Sequence, residues 1–149
     1  METERRAEVR AALMAYIATW NSGDVGKLVY HWDRNLQDPI YVAEESDPFV
    51  GWAAIEAYWA ALTGADILLE VGPIEYSDLS GELTATVYAL RWRILLPDHP
   101  YWTTPVGGHV RVSAIFAKRN EAWKIIHYVE APLAIAAQVK KWLVLEGST

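Results

Sequence analysis

YIATWNSGD, Tyr16 to Asp24, holds the end of one helix, a stop and an immediate restart. Just upstream and into this stretch, Val9, Leu13, Tyr16, Ile17 and Trp20 recur at steps of three and four, the spacing of one apolar stripe on an α-helix. Tyr16 is therefore expected to face inward. Gly23 can take the left-handed conformation that closes a helix, and the Asp24 carboxylate can cap the next one. A phenol on a buried helix face needs a hydrogen-bond partner or bears a desolvation cost of roughly 1–3 kcal/mol. Tyr16 is thus expected to point at something polar.

Val25 to Trp32 reads as a short second helix. Pro39 blocks helix continuation, and Ile40, Tyr41 and Val42 favour a short strand running into Glu44-Glu45. Asp47-Pro48 and Gly51 mark a turn, after which Trp52, Ile55, Trp59 and Leu62 predict a third helix stopped by Gly64. The period then changes to two. Ile67 to Tyr76 is a strand interrupted by Gly72-Pro73, hence bulged or at a sheet edge. Leu83 to Leu96 alternates over an unusual length for one strand. Pro97 to Gly108 reads as a long hairpin loop, followed by Val110 to Lys118, a tight turn at Arg119-Asn120-Glu121, and Trp123 to Glu130. After Pro132, the spacing of Leu133, Ala136, Ala137, Lys140 and Leu143 predicts a C-terminal helix. Helices first and antiparallel strands afterwards predict an α+β fold, a strongly curved, mostly antiparallel sheet wrapped around three N-terminal helices. Such a sheet leaves a cone with one open end.

The 149 residues fit a single domain spanning 1–149. The absence of cysteine excludes disulfides, thiolate nucleophiles and cysteine-bound metal. A net charge of -6, with no basic cluster, argues against nucleic acid as a partner. No apolar run approaches the roughly 18 residues that a membrane span requires, and a cytoplasmic location is expected. His31, His99, His109 and His127 lack metal-ligand spacing, Gly107-Gly108 opens a strand rather than a helix, and there is no serine nucleophile elbow. Neither metal nor cofactor is expected. Eight Trp and eight Tyr are the compositional anomaly; such rings fill cores, interfaces and pockets for flat ligands.

YIATWNSGD in the first turn, GWAAIEAYW at the third helix and RNEAWKIIHY near the end together resemble the NTF2-like superfamily, the cone fold of ketosteroid isomerase, scytalone dehydratase, SnoaL-type cyclases and kinase association domains. The resemblance spans about 120 residues and implies a fold more firmly than a chemistry. In the isomerase branch a Tyr in the position of Tyr16 donates to a developing enolate oxygen, and an acid on the strand after the second helix removes the proton. Glu44 is the best match to that acid, with Asp38 as its rival if the register differs. The second oxyanion donor of that branch has no counterpart, because its position falls on or near Ile115. Arg91 and His127 lie where other branches carry pocket Arg and His.

Strand alternation sorts the remaining candidates. Trp123, Ile125, His127 and Val129 are expected on one face of the last strand, and Lys124, Ile126, Tyr128 and Glu130 on the other. His127 is then a satisfied core histidine or a proton-transfer group. Arg91, sharing a face with Val87, Ala89 and Arg93, needs either a carboxylate from Glu44, Glu45 or Glu130, or a ligand oxygen. His109, Arg111 and Ser113 extend that lining or form an interface rim. Only one of Glu44 and Glu45 can face a cavity, where apolar walls would raise its pKa. Trp20, Trp32, Tyr58, Trp59 and Trp102 are candidate walls, or else core and subunit packing.

These expectations describe a cofactor-independent general acid-base enzyme, a lyase, isomerase, dehydratase or cyclase, acting on a bulky aromatic or polycyclic molecule. Glu44 or His127 would move the proton, and Tyr16 and Arg91 would stabilise oxygen charge. The resemblance adds a narrower case, cofactor-free cleavage of lignin-derived diarylpropanes. The alternative is a non-catalytic module that binds a small molecule or assembles through the outer face of its sheet, with Tyr88 and Trp92 on that face. Either way a homodimer or higher homo-oligomer is expected.

Overall fold

The computed structural model describes residues 1–101 and 103–133. Helix α1 (Glu4–Asn21) opens on Thr3, whose hydroxyl accepts from the Arg6 backbone N–H, and buries Val9, Leu13, Tyr16, Ile17 and Trp20. That is the stripe of the sequence. Gly23, at φ +78, donates its N–H to the Trp20 carbonyl at 3.0 Å and ends the helix. Asp24 makes no side-chain cap; its carboxylate pairs with Lys27 at 3.2 Å instead. The segment after it is a 3-10 helix, Val25–His31, not an α-helix. Its buried residues, Val25 and Leu28, are three apart, which matches the tighter repeat, and Gly26 and the two valines weaken α-helical propensity.

Strands β1 (Ile40–Val42) and β2 (Phe49–Val50) precede α2 (Trp52–Ala60). The long strands β3 (Asp66–Leu79), β4 (Leu83–Leu95), β5 (Val106–Arg119) and β6 (Ala122–Pro132) follow. The sheet order is β2-β1-β6-β5-β4-β3. Every pairing is antiparallel except β1 with β6, which is parallel. β3 is the edge strand, and its register shifts between Val71 and Ile74, where Gly72-Pro73 interrupts it. A proline without an N–H is tolerated at such a place. The turn between β5 and β6 uses Asn120 and Glu121 at φ 49 and 64, a pair of left-handed residues that suits a tight hairpin. β5 begins at Val106, earlier than the Val110 expected, because Gly107 and Gly108 already pair with Arg93 and Trp92. Apart from Leu133, the segment expected to form a C-terminal helix lies outside the described residues.

One irregularity positions the site. On β6, His127 lies opposite Ile115 and Ile125 opposite Phe116, so Ile126 is an extra residue without a cross-strand partner. A bulge of this kind reverses the alternation beyond it. Ile125, Tyr128 and the opposed Val112, Ala114 and Phe116 are buried on the concave face. His127, Val129, Ser113 and Arg111 fall on the convex face.

The helices pack their buried residues against those of the sheet. Trp32, Tyr41, Trp59, Tyr16, Tyr88 and Tyr128 are each at most 3% exposed, and burying such side chains contributes roughly 1.5–3 kcal/mol apiece. Asn21, at the end of α1, fastens the helix to the edge strand: its Oδ1 accepts from the Leu69 N–H at 2.7 Å and its Nδ2 donates to the Leu69 carbonyl at 3.1 Å. Among the described residues no helix is long and apolar enough to cross a membrane.

Candidate active site

A cavity of about 230 Å³ sits between the concave face of the sheet, the end of α1 and α2. Its apolar walls come from Leu62, Ile67, Leu69, Leu90, Ile94 and Leu96, and its rings from Trp20, Tyr41, Tyr58, Trp92 and Tyr128. Its charged members are Glu45, Arg93 and Glu130. Strand alternation explains the set: Ile67, Leu69, Leu90, Trp92 and Ile94 occupy matched concave positions on β3 and β4.

Glu130 is the cavity carboxyl that the apolar walls bring toward neutrality. Its Oε1 accepts from the Tyr128 hydroxyl at 3.1 Å and its Oε2 from the Glu44 backbone N–H at 3.3 Å. Burial pushes the Glu130 carboxyl up to about 7; the hydrogen bonds from Glu44 and Tyr128 oppose the rise, and the neighbouring Glu45 and Glu44 carboxylates add to it. Tyr128 itself stacks on Tyr41, ring centroids 4.9 Å apart and planes within 3°, which fixes the wall that carries Glu130.

The turn after β1 is tied down through its acids. Glu44 Oε1 accepts from the Trp92 indole N–H at 3.0 Å, and Glu45 Oε1 accepts from the Tyr58 hydroxyl at 2.6 Å. Gly108 makes the first bond possible. A Cβ there would lie 2.7 Å from Trp92 Nε1 and 2.9 Å from Glu44 Oε1, so only a bare backbone lets the indole lie across β5. Burial, then the Glu45 carboxylate, holds the Tyr58 phenol well above the ordinary tyrosine range.

Tyr16 lies behind this wall, edge-on to Trp20 at 6.3 Å and to Tyr128 at 6.0 Å. It is fully buried, its hydroxyl has no hydrogen-bond partner among the described residues, and burial pushes its pKa up. The indoles of Trp20 and Trp32 partly offset that rise, although neither reaches hydrogen-bonding geometry. The polar partner expected for Tyr16 is therefore not supplied by the described residues. Tyr88, also buried and with no hydroxyl partner among the described residues, stands in the same layer. His31 flanks Tyr16 edge-on at 5.7 Å, with Nε2 2.8 Å from Thr19 Oγ1, and burial lowers its pKa.

The remaining expected residues are scattered. Trp20 and Tyr58 line the cavity, and Glu44 abuts it through Trp92 and Glu130. Trp32 is core, packed on Tyr41, Trp52 and Trp59. Trp59 faces a separate groove between the 3-10 helix and α2. Trp102 lies outside the described residues. Asp38 is exposed. Arg91, Arg111 and Ser113 are exposed on the convex face, and His127 is half-buried there. The expected partnership of Tyr16 with Arg91 and His127 does not form: Tyr88 and Trp92, not Arg91, are the concave residues of β4, and the Ile126 bulge turns His127 outward. Glu130 and Tyr128, placed by alternation opposite His127, take the inner face instead. The one sequence signal for this wall was Gly107-Gly108 opposite Trp92, a glycine lying under an indole. Among the described residues no group of His, Cys, Asp and Glu is placed to hold a metal ion.

No protein-family model matches the chain. No curated protein sequence matches it either. Solved structures do. A Streptomyces avermitilis protein of the NTF2-like family, assigned as a dehydratase, superposes with a TM-score of 0.72 at 15% identity, over 85% of this chain and 94% of that one. An uncharacterized Caulobacter vibrioides protein with a cystatin-like fold gives 0.70 at 20% identity, over 93% and 99%. A Xanthomonas campestris protein assigned as a calcium/calmodulin-dependent protein kinase II association domain gives 0.72 at 15% identity, over 88% and 89%. At such identities the likeness is one of fold: the chain has the α+β architecture of the NTF2-like, cystatin-like cone.

Proposed function

We propose that the cone cavity is the active site of a cofactor-independent acid-base enzyme, of the lyase, isomerase or dehydratase kind, acting on an aromatic small molecule. The carrying observation is Glu130, a carboxyl held near a pKa of about 7 inside an apolar, ring-lined cavity. A group titrating near neutrality serves equally as proton acceptor and donor, and positioned groups of this kind typically contribute 10²–10⁴-fold to rate. Tyr128 and the Glu44 N–H hold the two carboxyl oxygens, and Trp20 and Trp92 present ring surface to the ligand. Glu130 replaces Glu44 and His127 as the proton-moving residue in this reading, since Glu44 is engaged by Trp92 and His127 lies on the other face.

Cavity size narrows the substrate. About 230 Å³ is below the ~300–1,000 Å³ of pockets for drug-sized ligands, which favours one or two rings over a polycyclic frame. The likeness to a protein assigned as a dehydratase agrees with proton-transfer chemistry. The convex face, with Val87, Arg91, Arg111 and His127, is the surface this reading assigns to pairing with a second copy, a role in keeping with the likeness to an association domain. The test is turnover of a panel of aryl ketones, phenols and benzylic alcohols by the wild type and by Glu130→Gln. The expected result is turnover that falls by ~10²-fold or more in the variant. Equal turnover by both overturns the role given to Glu130, and ligand binding without turnover across the panel supports a non-catalytic binding module instead.

A further inference from the structure

The cavity's charge is lopsided. Glu130 and Glu45 line it and Glu44 stands directly behind Glu130, whereas Arg93 is its one cation among the described residues and is exposed at the rim. Among the described residues none of the three carboxylates is paired with a basic side chain: Glu130 accepts from Tyr128 and a backbone N–H, Glu44 from Trp92, and Glu45 from Tyr58. From the described residues each Glu130 oxygen takes a single long bond, at 3.1 and 3.3 Å, so a carboxylate able to accept about four still has capacity left. A second and independent feature is the ring lining, since Trp20, Tyr41, Tyr58, Trp92 and Tyr128 surround the same space. The negative faces of aromatic rings attract cations, most strongly where water is excluded. Carboxylates that no described cation neutralises, set beside such rings, are complementary to a positive charge.

We propose that the cavity takes an aromatic ligand bearing a protonated amine, with its ring against Trp20 and Trp92 and its ammonium nitrogen against the Glu130 and Glu45 carboxylates. This rests on the cone cavity being the ligand site and assigns its substrate class. Binding has a consequence for the proton-moving group. An ammonium beside Glu130 favours the ionised carboxylate, so the ligand's own charge turns Glu130 into a proton acceptor. Among the described residues, Glu44 and Glu45 from the turn after β1, Tyr41 from β1, Tyr58 from α2, Tyr88 and Arg93 from β4, Tyr128 from β6 and Tyr16 from α1 are the other charged or titratable groups around it. The phenols are held protonated by burial. Near neutrality, Glu130 is the member of this set that burial has brought into range.

Three probes of similar size distinguish the outcomes in tryptophan-fluorescence or calorimetric titrations from pH 5.5 to 8.5: 2-phenylethylammonium, 2-phenylethanol and 3-phenylpropanoate. The ammonium, with an amine pKa near that of lysine, about 10.4, stays charged throughout. It is expected to bind at least about tenfold more tightly than the alcohol at pH 8, and to weaken as pH falls through 7 and Glu130 takes up its proton. Glu130→Gln, checked for folding by circular dichroism, is expected to remove that pH dependence, and Glu45→Gln to weaken the ammonium alone. If the alcohol or the carboxylate binds as tightly as the ammonium, the cavity is an aromatic-ligand site and the cationic assignment is overturned. If none of the three binds, both the assignment and the site fall.

Discussion

Glu130 is where burial and chemistry meet. Its folded pKa of about 7 stands above the ordinary carboxyl value of 4.5, so the native state favours the protonated form. A raised pKa contributes stability that is present below the unfolded pKa and lost as pH rises through the folded one. Between pH 4.5 and 8 this one group is therefore expected to cost the wild type about 2–3 kcal/mol, the upper figure being reduced by the solvent that reaches the cavity mouth. Glu130→Gln has no charge to desolvate, and urea melts across that range should show a flatter profile for it; parallel profiles would contradict the assignment. Tyr16 makes the opposite point. Its buried hydroxyl has no partner among the described residues, so Tyr16→Phe is expected to leave stability unchanged or raise it by up to about 1 kcal/mol. A loss larger than that in a thermal melt would reveal an ordered water or another donor-acceptor partner at the phenol.

At the scale of elements, two irregularities build the site. The Ile126 bulge sends Tyr128 and Glu130 inward, and the bare backbone at Gly108 lets Trp92 cross β5 to reach Glu44. Gly108→Ala places a methyl 2.7 Å from the indole nitrogen, a contact that forces the ring to move. Overpacking of this kind costs roughly 1–3 kcal/mol, and the displaced Trp92 should also change the intrinsic fluorescence and weaken ligand binding. An unaltered melting temperature and emission spectrum would show that β5 can shift away without disturbing the wall. Helix α1 depends on a different device, the two hydrogen bonds from Asn21 to Leu69, which attach its end to an edge strand that has free backbone groups to offer.

Over the whole molecule, core and cavity share a wall. Trp20, Tyr41 and Tyr128 belong to both, whereas Leu69 bounds the cavity from the partly buried fringe of the core. Leu69→Trp, which keeps the backbone bonds to Asn21, is expected to fill the cavity and hold the melting temperature within a few degrees of wild type, because added apolar volume enters a void and not a packed core. Ligand binding should fall at least about tenfold, the size of effect that loss of ring contact produces. Retained affinity in a correctly folded variant would place the ligand elsewhere, the groove between the 3-10 helix and α2 being the next candidate.

What could be read in the chain was local. Period-3.6 spacing over Val9 to Trp20 and period-2 spacing from Ile67 onward report which side of an element is apolar, and Gly23, Gly64 and Asn120 mark turns through their own backbone preferences. These suffice for α1 and α2, the meander, the interruption of β3 and the α+β class. Trp20 and Tyr58 could be named for the cavity because their rings lie on helix faces with a regular repeat. Facing on β6 was not legible, since one unpaired residue at Ile126 inverts every side chain after it, and a bulge is decided by the partner strand rather than by the strand's own composition. For that reason His127 carried its expected chemistry to the wrong side of the sheet, while Glu130 passed as an ion-pair partner; on β4 the alternation was regular, and which of its two faces is concave was settled only by what packs against it, which left Arg91 outside. Sequence alone established the two α-helices and the four long strands; only tertiary packing, by pairing β5 with β6 and closing apolar walls around one carboxyl, decided which acid is desolvated and so able to hold a proton near neutral pH.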